Sequence, residues 1–333
     1  MELHGRWLLL ILLLLVVGTP IYSAEPDAGR EAAIAAIEKL GGYVSSASVT
    51  VKVGDKFFRE NKTFVTLDRT KVTDADLRHL KHVKGLTDLS IFETKISDAG
   101  LEHLKGLTSL ENVSLQRTNV TNLEPLKGLT TLRVLFLTDT KVSDTGLKHL
   151  KGLTNLASLS LGSTKVTDAG LEHLKGLKSL QWLRLDDTKV TDAGLEHLKG
   201  LKNLEGLTLV YTNVSDAGLE HLKGLRILQR LDLSRTEITD TGLEHLKGLR
   251  SLQRLDLANT QVTDAGLEHL KGLTSLTALD LANTKVTDAG VKKLRQALPK
   301  CNIIHKKPRL SPVRDVGAAA LRSTRRRVTI RRQ

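Results

Sequence analysis

The chain has 333 residues, 40% hydrophobic but only 3% aromatic, with one cysteine and a net charge of +13. A lone cysteine excludes a disulfide framework and a paired-cysteine metal site, and so few aromatics argue against a varied globular interior. The basic balance is local: residues 306–333 hold ten Lys/Arg against one Asp, so they carry +9 and the remainder only +4.

The first 24 residues carry Arg6, an apolar run from Trp7 to Val17, then Gly18, Pro20 and the small residues Ser23 and Ala24. That run is too short to span a bilayer as a helix, which needs about 20 residues. It reads as a secretory signal peptide, so the mature protein is expected to be secreted or periplasmic. An uncleaved signal holding the chain in the inner membrane is the alternative. Residues 25–62 read as an N-terminal cap. A helix is predicted over 25–43, where Ile34, Ile37 and Leu40 share one face. Gly41 and Gly42 stop it, and the alternating β-branched stretch 44–58 predicts a strand or hairpin.

From residue 63 to 288 a unit of 24 residues recurs about ten times. Its constant half is DAGLEHLKGL, at 98–107, 168–177, 192–201, 216–225 and 264–273, with near-copies at 144–153 and 240–249. Its variable half has the form LxxLxLxxT. Marker threonines run Thr70, Thr94, Thr118, Thr140, Thr164, Thr188, Thr212, Thr236, Thr260 and Thr284, each 24 apart except the 22-residue step to Thr140. A fixed period in this range predicts a solenoid. Val113 and Leu115 are two apart and face one side of a strand, while Leu147, Leu150 and Leu153 share the inner face of a short helix. The Ser or Thr before each Asp is positioned to cap that helix, and the Asp suits its positive end. In the short coil, Pro125 and two missing residues predict an outer segment that is not a full helix. Residues 289–305 read as a C-terminal cap, with a longer helix ending at Pro299 and with Ile303 and Ile304 over the last core layer. Residues 306–333 have no period and read as a basic disordered tail.

The pattern LxxLxLxxTxVTDAGLxxLxxL resembles a leucine-rich repeat. With EKLGG before the array and ALPKCNI after it, the chain is similar to secreted leucine-rich-repeat proteins of planctomycete bacteria. The resemblance implies an α/β fold, a right-handed horseshoe solenoid with parallel strands on the concave face and short helices on the convex face. It also implies protein interaction without catalysis, and offers no catalytic residue to carry over. F-box-type ubiquitin-ligase adaptors use a similar repeat, so a substrate-recognition subunit is a remote alternative. No F-box-sized helical domain fits within residues 25–62.

Function has to be sought where repeats differ. The outward strand positions vary from coil to coil, whereas the helical half does not. Trp182, Arg184 and Asp186, with Tyr211 close by, place an aromatic among charges near mid-array, and such residue types anchor interfaces. Asn112, Gln116, Phe136, Arg230, Asp232, Arg254 and Asp256 complete the candidate partner-binding face, against the plain reading that all are ordinary surface residues. Asp232, Asp256 and Asp280 stack on consecutive strands. Neutralisation by Arg230 and Arg254 across the sheet is the plain reading, and a weak Ca²⁺ site of carboxylate oxygens the sharper one. The histidine column His79, His103, His149, His173, His197, His221, His245 and His269 reads as a solvated outer face with Glu–Lys pairs three apart. Neither a metal nor a cofactor is expected, and no G-x-S-x-G, H-E-x-x-H or P-loop is present. The expected partner is a protein. The tail arginines Arg325, Arg326, Arg327, Arg331 and Arg332 suit an anionic envelope polymer or lipid, and no nucleic acid is expected. A structural envelope component held by that tail or by an uncleaved anchor is the rival function.

Overall fold

A computed structural model describes residues 28–53 and 56–305. The signal-like segment 1–24 and the basic tail 306–333 lie outside the described residues, and among those described no helix is long and apolar enough to cross a membrane.

The cap begins with helix α1, Ala28–Lys39, which buries Ala33 and Ile37. A hairpin follows, β1 (Tyr43–Val53) pairing antiparallel with β2 (Lys56–Thr66). β2 runs past residue 62 without a break and pairs in parallel with β3 (Leu86–Ser90), so the last cap strand is also the first repeat strand. Then come β4 (Asn112–Ser114), β5 (Val134–Phe136), β6 (Ser158–Ser160), β7 (Trp182–Arg184), β8 (Gly206–Thr208), β9 (Arg230–Asp232), β10 (Arg254–Asp256), β11 (Ala278–Asp280) and β12 (Asn302–Ile304). All form one sheet in sequence order.

Within a coil the alternation works as the pattern predicts. Val113 and Leu115 are 1% and 0% exposed, while Asn112, Ser114 and Gln116 are half-exposed on the other side. The outer segment is a single α-turn, Asp144–Leu147 in the example, followed by a 3-10 turn, Lys148–Leu150. Leu147, Leu150 and Leu153 are all buried. The short coil has only a 3-10 turn, Glu124–Leu126, with Pro125 in its first turn. At the far end the helix Asp288–Ala297 and β12 close the core. Ile303 is buried, but Ile304 is 43% exposed, so only Ile303 covers the last layer. Adjacent strand residues face opposite sides, and both cannot point inward. Cys301 is buried there as a small hydrophobe, and burial pushes its thiol pKa up.

Each marker threonine closes the turn that ends its strand. Thr118 Oγ1 donates to the Leu115 carbonyl at 2.6 Å, and the other nine make the same bond three residues back. The residue before each threonine is left-handed, with φ between 52° and 60°, at Arg69, Glu93, Arg117, Asp139, Ser163, Asp187, Tyr211, Arg235, Asn259 and Asn283. That conformation disfavours residues with a Cβ. Here it turns the amide toward the next coil, as in Arg117 N to the Thr138 carbonyl at 3.0 Å.

The aspartate of the constant half does more than favour a helix end. Asp168 Oδ1 accepts the Thr191 amide at 2.8 Å and its Oδ2 accepts the Thr191 hydroxyl at 2.7 Å, one coil away. The same double bond joins Asp74 to Ser97, Asp98 to Thr121, Asp144 to Thr167, Asp192 to Ser215, Asp216 to Thr239, Asp240 to Thr263 and Asp264 to Thr287. Helix capping by the Ser or Thr is the lesser role: Thr191 Oγ1 receives the Ala193 amide at a long 3.4 Å, and Thr167 caps nothing. The clamp also dictates the glycine two residues on. A Cβ on Gly100 would stand 2.6 Å from Asp74 Oδ1, and Gly170, Gly194, Gly218, Gly242, Gly266 and Gly290 meet the aspartate of the preceding coil in the same way.

One junction lacks the clamp. The short coil puts Asn122 where the others have Asp, and its Oδ1 accepts the Glu124 amide instead. Among the described residues no acceptor meets the Ser143 amide, and the Ser143 hydroxyl meets only Thr145 Oγ1, at 3.0 Å. Hydrogen bonds to a charged group contribute more than neutral ones. Asp192→Ala is therefore expected to lower stability by about 2 kcal/mol, and Asn122→Ala by under about 1 kcal/mol. Urea unfolding followed by circular dichroism measures both, and equal losses would contradict the assigned roles.

Candidate binding surface

The outward sheet positions form rows across the strands, because parallel pairing puts residue i of one strand beside its equivalent on the next. In the first row the Trp182 indole lies against Gly206 of β8. A Cβ on Gly206 would stand 2.1 Å from ring atoms Cε3 and Cζ3, so glycine is what admits the indole there. The Arg230 guanidinium caps it from β9, 5.2 Å from the ring centre, a cation–π contact. In the second and third rows Arg184 donates through Nε and a terminal nitrogen to Asp186 Oδ2, at 3.0 and 2.6 Å. Tyr211, in a left-handed turn, is 62% exposed with Arg235 5.9 Å from its ring.

The candidate residues divide into two groups. Trp182, Arg184, Asp186, Arg230, Asp232 and Tyr211 come together on β7–β9 and the turns after them. Arg254 and Asp256 continue that group on β10, while Asn112 and Phe136 on β4 and β5, with Gln116 just after β4, lie about 10 Å or more along the sheet at roughly 4.8 Å per strand. Asn112 is committed to its neighbour in the same outward row, donating to Asp88 Oδ1 at 2.6 Å. Burial raises the Asp88 carboxyl above its ordinary range.

Sequence reasoning missed a second aromatic cluster. Phe92 lies between the guanidinia of Arg69 and Arg117, 5.3 and 5.7 Å from its ring centre. Both arginines occupy the left-handed row, where charge alternates: Arg69 meets Glu93 at 2.8 Å, Arg117 meets Glu93 at 3.8 Å and Asp139 at 3.4 Å. The signal was there to find, as the residue just before each marker threonine.

The aspartate column behaves differently from its expected neutralisation. Asp232, Asp256 and Asp280 are in register on β9–β11, and each spends Oδ1 on its own strand, accepting the amide two residues ahead at 2.8–3.0 Å. Arg230 and Arg254 do not answer them. They lie in a separate row two residues back, beside each other in register. Arg230 is turned onto Trp182, and among the described residues no ion pair joins Arg254 to Asp256. Burial first, then the flanking Asp232 and Asp280, push the Asp256 carboxyl up to about 7. Burial also raises Asp232.

The histidine column lies on the helical face, half-exposed, amid Glu–Lys pairs such as Glu196–Lys199 at 3.3 Å. The Nδ1 atoms of His173, His197, His221 and His245 are buried without a hydrogen-bond partner. Desolvation lowers the His149 and His173 pKa values. Among the described residues no group of three or more His, Cys, Asp or Glu side chains is placed to hold a metal ion, and this covers both columns.

The family model described as Leucine rich repeat matches residues 130–190, 202–262 and 226–286. This is a leucine-rich-repeat solenoid. The structure of an internalin (inlF) from Listeria monocytogenes matches it with a TM-score of 0.57 and 26% identity, over 72% of this chain and 72% of that one. An internalin C2 (inlC2) from the same species matches at 0.51 and 29% identity, over 65% of this chain and 84% of the other. A leucine-rich-repeat protein from Leptospira interrogans shares the fold at 0.51, with 22% identity over 68% of each chain. No curated protein matches the chain.

Asp256 and the pair His149 and His173 pull stability in opposite directions. A carboxyl raised in the folded state means the unfolded chain releases its proton first, so folding weakens as pH rises from about 3.8 toward 7. Asp256→Asn removes that loss, and is expected to melt higher than wild type at pH 8 with the gap closing at pH 4. The depressed histidines act inversely: their contribution is complete above 6.5 and is lost as pH falls below it. His149→Gln/His173→Gln is expected to flatten the wild-type decline between pH 7 and 5. Melting curves across pH for the three proteins check both, and parallel curves would refute them.

Proposed function

We propose that the protein is a non-catalytic protein-binding module, exported from the cytoplasm, that reads its partner through the sheet face around Trp182. One observation carries this reading. On the helical face the repeated aspartates and hydroxyls serve the solenoid itself, clamping coil to coil, while on the sheet face the residues vary along the array. Mid-sheet, that variation builds an aromatic platform with prearranged charges beside it. Trp182 is held by Gly206 and Arg230, and Arg184 is held by Asp186. Side chains ordered before binding lose less entropy when a partner arrives, and Trp and Arg dominate binding energy where they are buried by one. The similarity to two internalins supports the architecture of such a module. Export rests on the signal-like residues 1–24, and the mature chain is expected to begin near residue 25.

The test is a capture experiment from envelope extract of the source organism with the whole mature chain as bait. A partner retained by wild type and by the helical-face variant Glu196→Gln/Glu220→Gln, but bound at least about 30-fold more weakly by Trp182→Ala/Arg184→Ala, is the expected result. Capture that survives the sheet-face substitutions would overturn the assignment.

A further inference from the structure

The acidic column carries three in-register carboxylates with no ion pair among the described residues; of the described cations, Arg184 acts on Asp232, outweighed by Asp186. Asp232, Asp256 and Asp280 each use Oδ1 for an amide of their own strand, and no hydrogen bond or ion pair engages their Oδ2 atoms among the described residues. All three are half-buried and sit side by side, so like charges face one another across about 5 Å of sheet. Beside them the third row is made of the small residues Ser234, Ala258 and Ala282. Asp186 continues the acidic line at the β7 end, and its charge acts on Asp232.

The topology decides what reaches this column first. Each aspartate is the last residue of its strand, so the column runs along the edge of the sheet where strands end. β12 is parallel to β11 and its final residue, Ile304, is in register with Asp280. The chain therefore leaves the solenoid at that same edge, one strand from the column. His305, 3.5 Å from Asp288, fixes the point of departure. The residues that follow read Lys306, Lys307, Pro308 and Arg309, and the segment 306–333 carries ten Lys/Arg against one Asp. From β12 to β9 is about 14 Å at three strand spacings. Four extended residues reach about 13 Å.

We propose that the basic segment 306–333 docks on its own sheet face, with Lys306, Lys307 and Arg309 lying over Asp280, Asp256 and Asp232. Arg230 and Arg254, one row back, repel the segment and confine it to the aspartate edge. The charge frustration of the column is thereby relieved from within the chain. A docked tail also runs toward Asp186 and the Trp182 platform, so it competes with any partner that reads that face. This inference stands apart from the protein-binding reading: it concerns what covers the β9–β11 edge, whether or not Trp182 anchors a partner.

The experiment is limited trypsin digestion of the full chain at low and high salt, with cleavage after Arg309 and Arg314 followed by mass spectrometry. At low salt, wild type is expected to be cut about tenfold more slowly than Asp232→Asn/Asp256→Asn/Asp280→Asn, and the difference is expected to vanish at about 0.5 M salt, where screening is strong. The variant keeps every Oδ1 acceptor, and its circular dichroism shows whether the fold persists. A second readout does not depend on that variant. The Asp256 carboxyl, titrated by carbon NMR, is expected to move upward when Lys306, Lys307 and Arg309 are all replaced by Gln. Equal cleavage rates in wild type and the Asn variant, or an Asp256 titration unmoved by the Gln substitutions, would overturn the proposal. Protection that grows with protein concentration would overturn it too, since it would place the tail on a second copy.

Discussion

The carboxylate clamp between coils is the interaction on which this solenoid turns. A single coil offers one layer of leucines and cannot bury it alone, so stability is a property of junctions. Leucine stacking supplies the apolar area but leaves rotation and rise between coils loosely specified. The aspartate specifies them: two charge-assisted bonds to the next Ser or Thr fix where the following coil sits. Glycine two residues later follows by exclusion, because the carboxylate occupies the place of a Cβ. Asp, Ala or Thr, and Gly thus form a motif of two coils, although they are contiguous in one.

That division of labour explains why the two faces of the molecule read so differently. Side chains on the helical half are engaged with the neighbouring coil, so any drift in them unclamps a junction. Outward strand positions carry no such duty, since the strands are held by backbone bonds, and there the chain carries aromatics, arginines and aspartates in no repeating order. The Trp182 platform shows how local the resulting specificity is. It needs a glycine on one neighbouring strand and an arginine on the next, three coils acting together. The aspartate column shows the opposite condition, three coils bearing the same acid, with no ion pair to it among the described residues.

Much of the fold could be read directly from the sequence. Period 24 gave the solenoid, alternation gave the buried strand leucines, and Pro125 with the two missing residues gave the short outer turn. What escaped detection depended on neighbours one coil away. The role of Asp168 lies with Thr191, 23 residues distant, and nothing local to either announces it. The expected pairing of Arg230 and Arg254 with the aspartates failed although Arg184 and Asp186 meet over the same two-residue spacing: Arg230 is turned onto the Trp182 ring, and each aspartate closes its Oδ1 onto its own strand. Ile304 failed because adjacent strand residues face opposite sides. The arginines around Phe92 went unseen because the left-handed row lies beyond the strand, outside the columns that alternation picks out, although Phe92 itself stands in one of those columns. Trp182 was visible as an aromatic among charges, but not as a ring lying against Gly206.

The most direct measurement of the clamp is residue-resolved native-state hydrogen exchange on the intact protein. The account predicts slow exchange at the amides of Thr167, Thr191, Ser215, Thr239 and Thr263, which aspartates hold, and exchange faster by orders of magnitude at Ser143, where no carboxylate stands. Ser143 protected as well as its equivalents would contradict it, and would mean that leucine stacking and the strand ladder alone set the junctions.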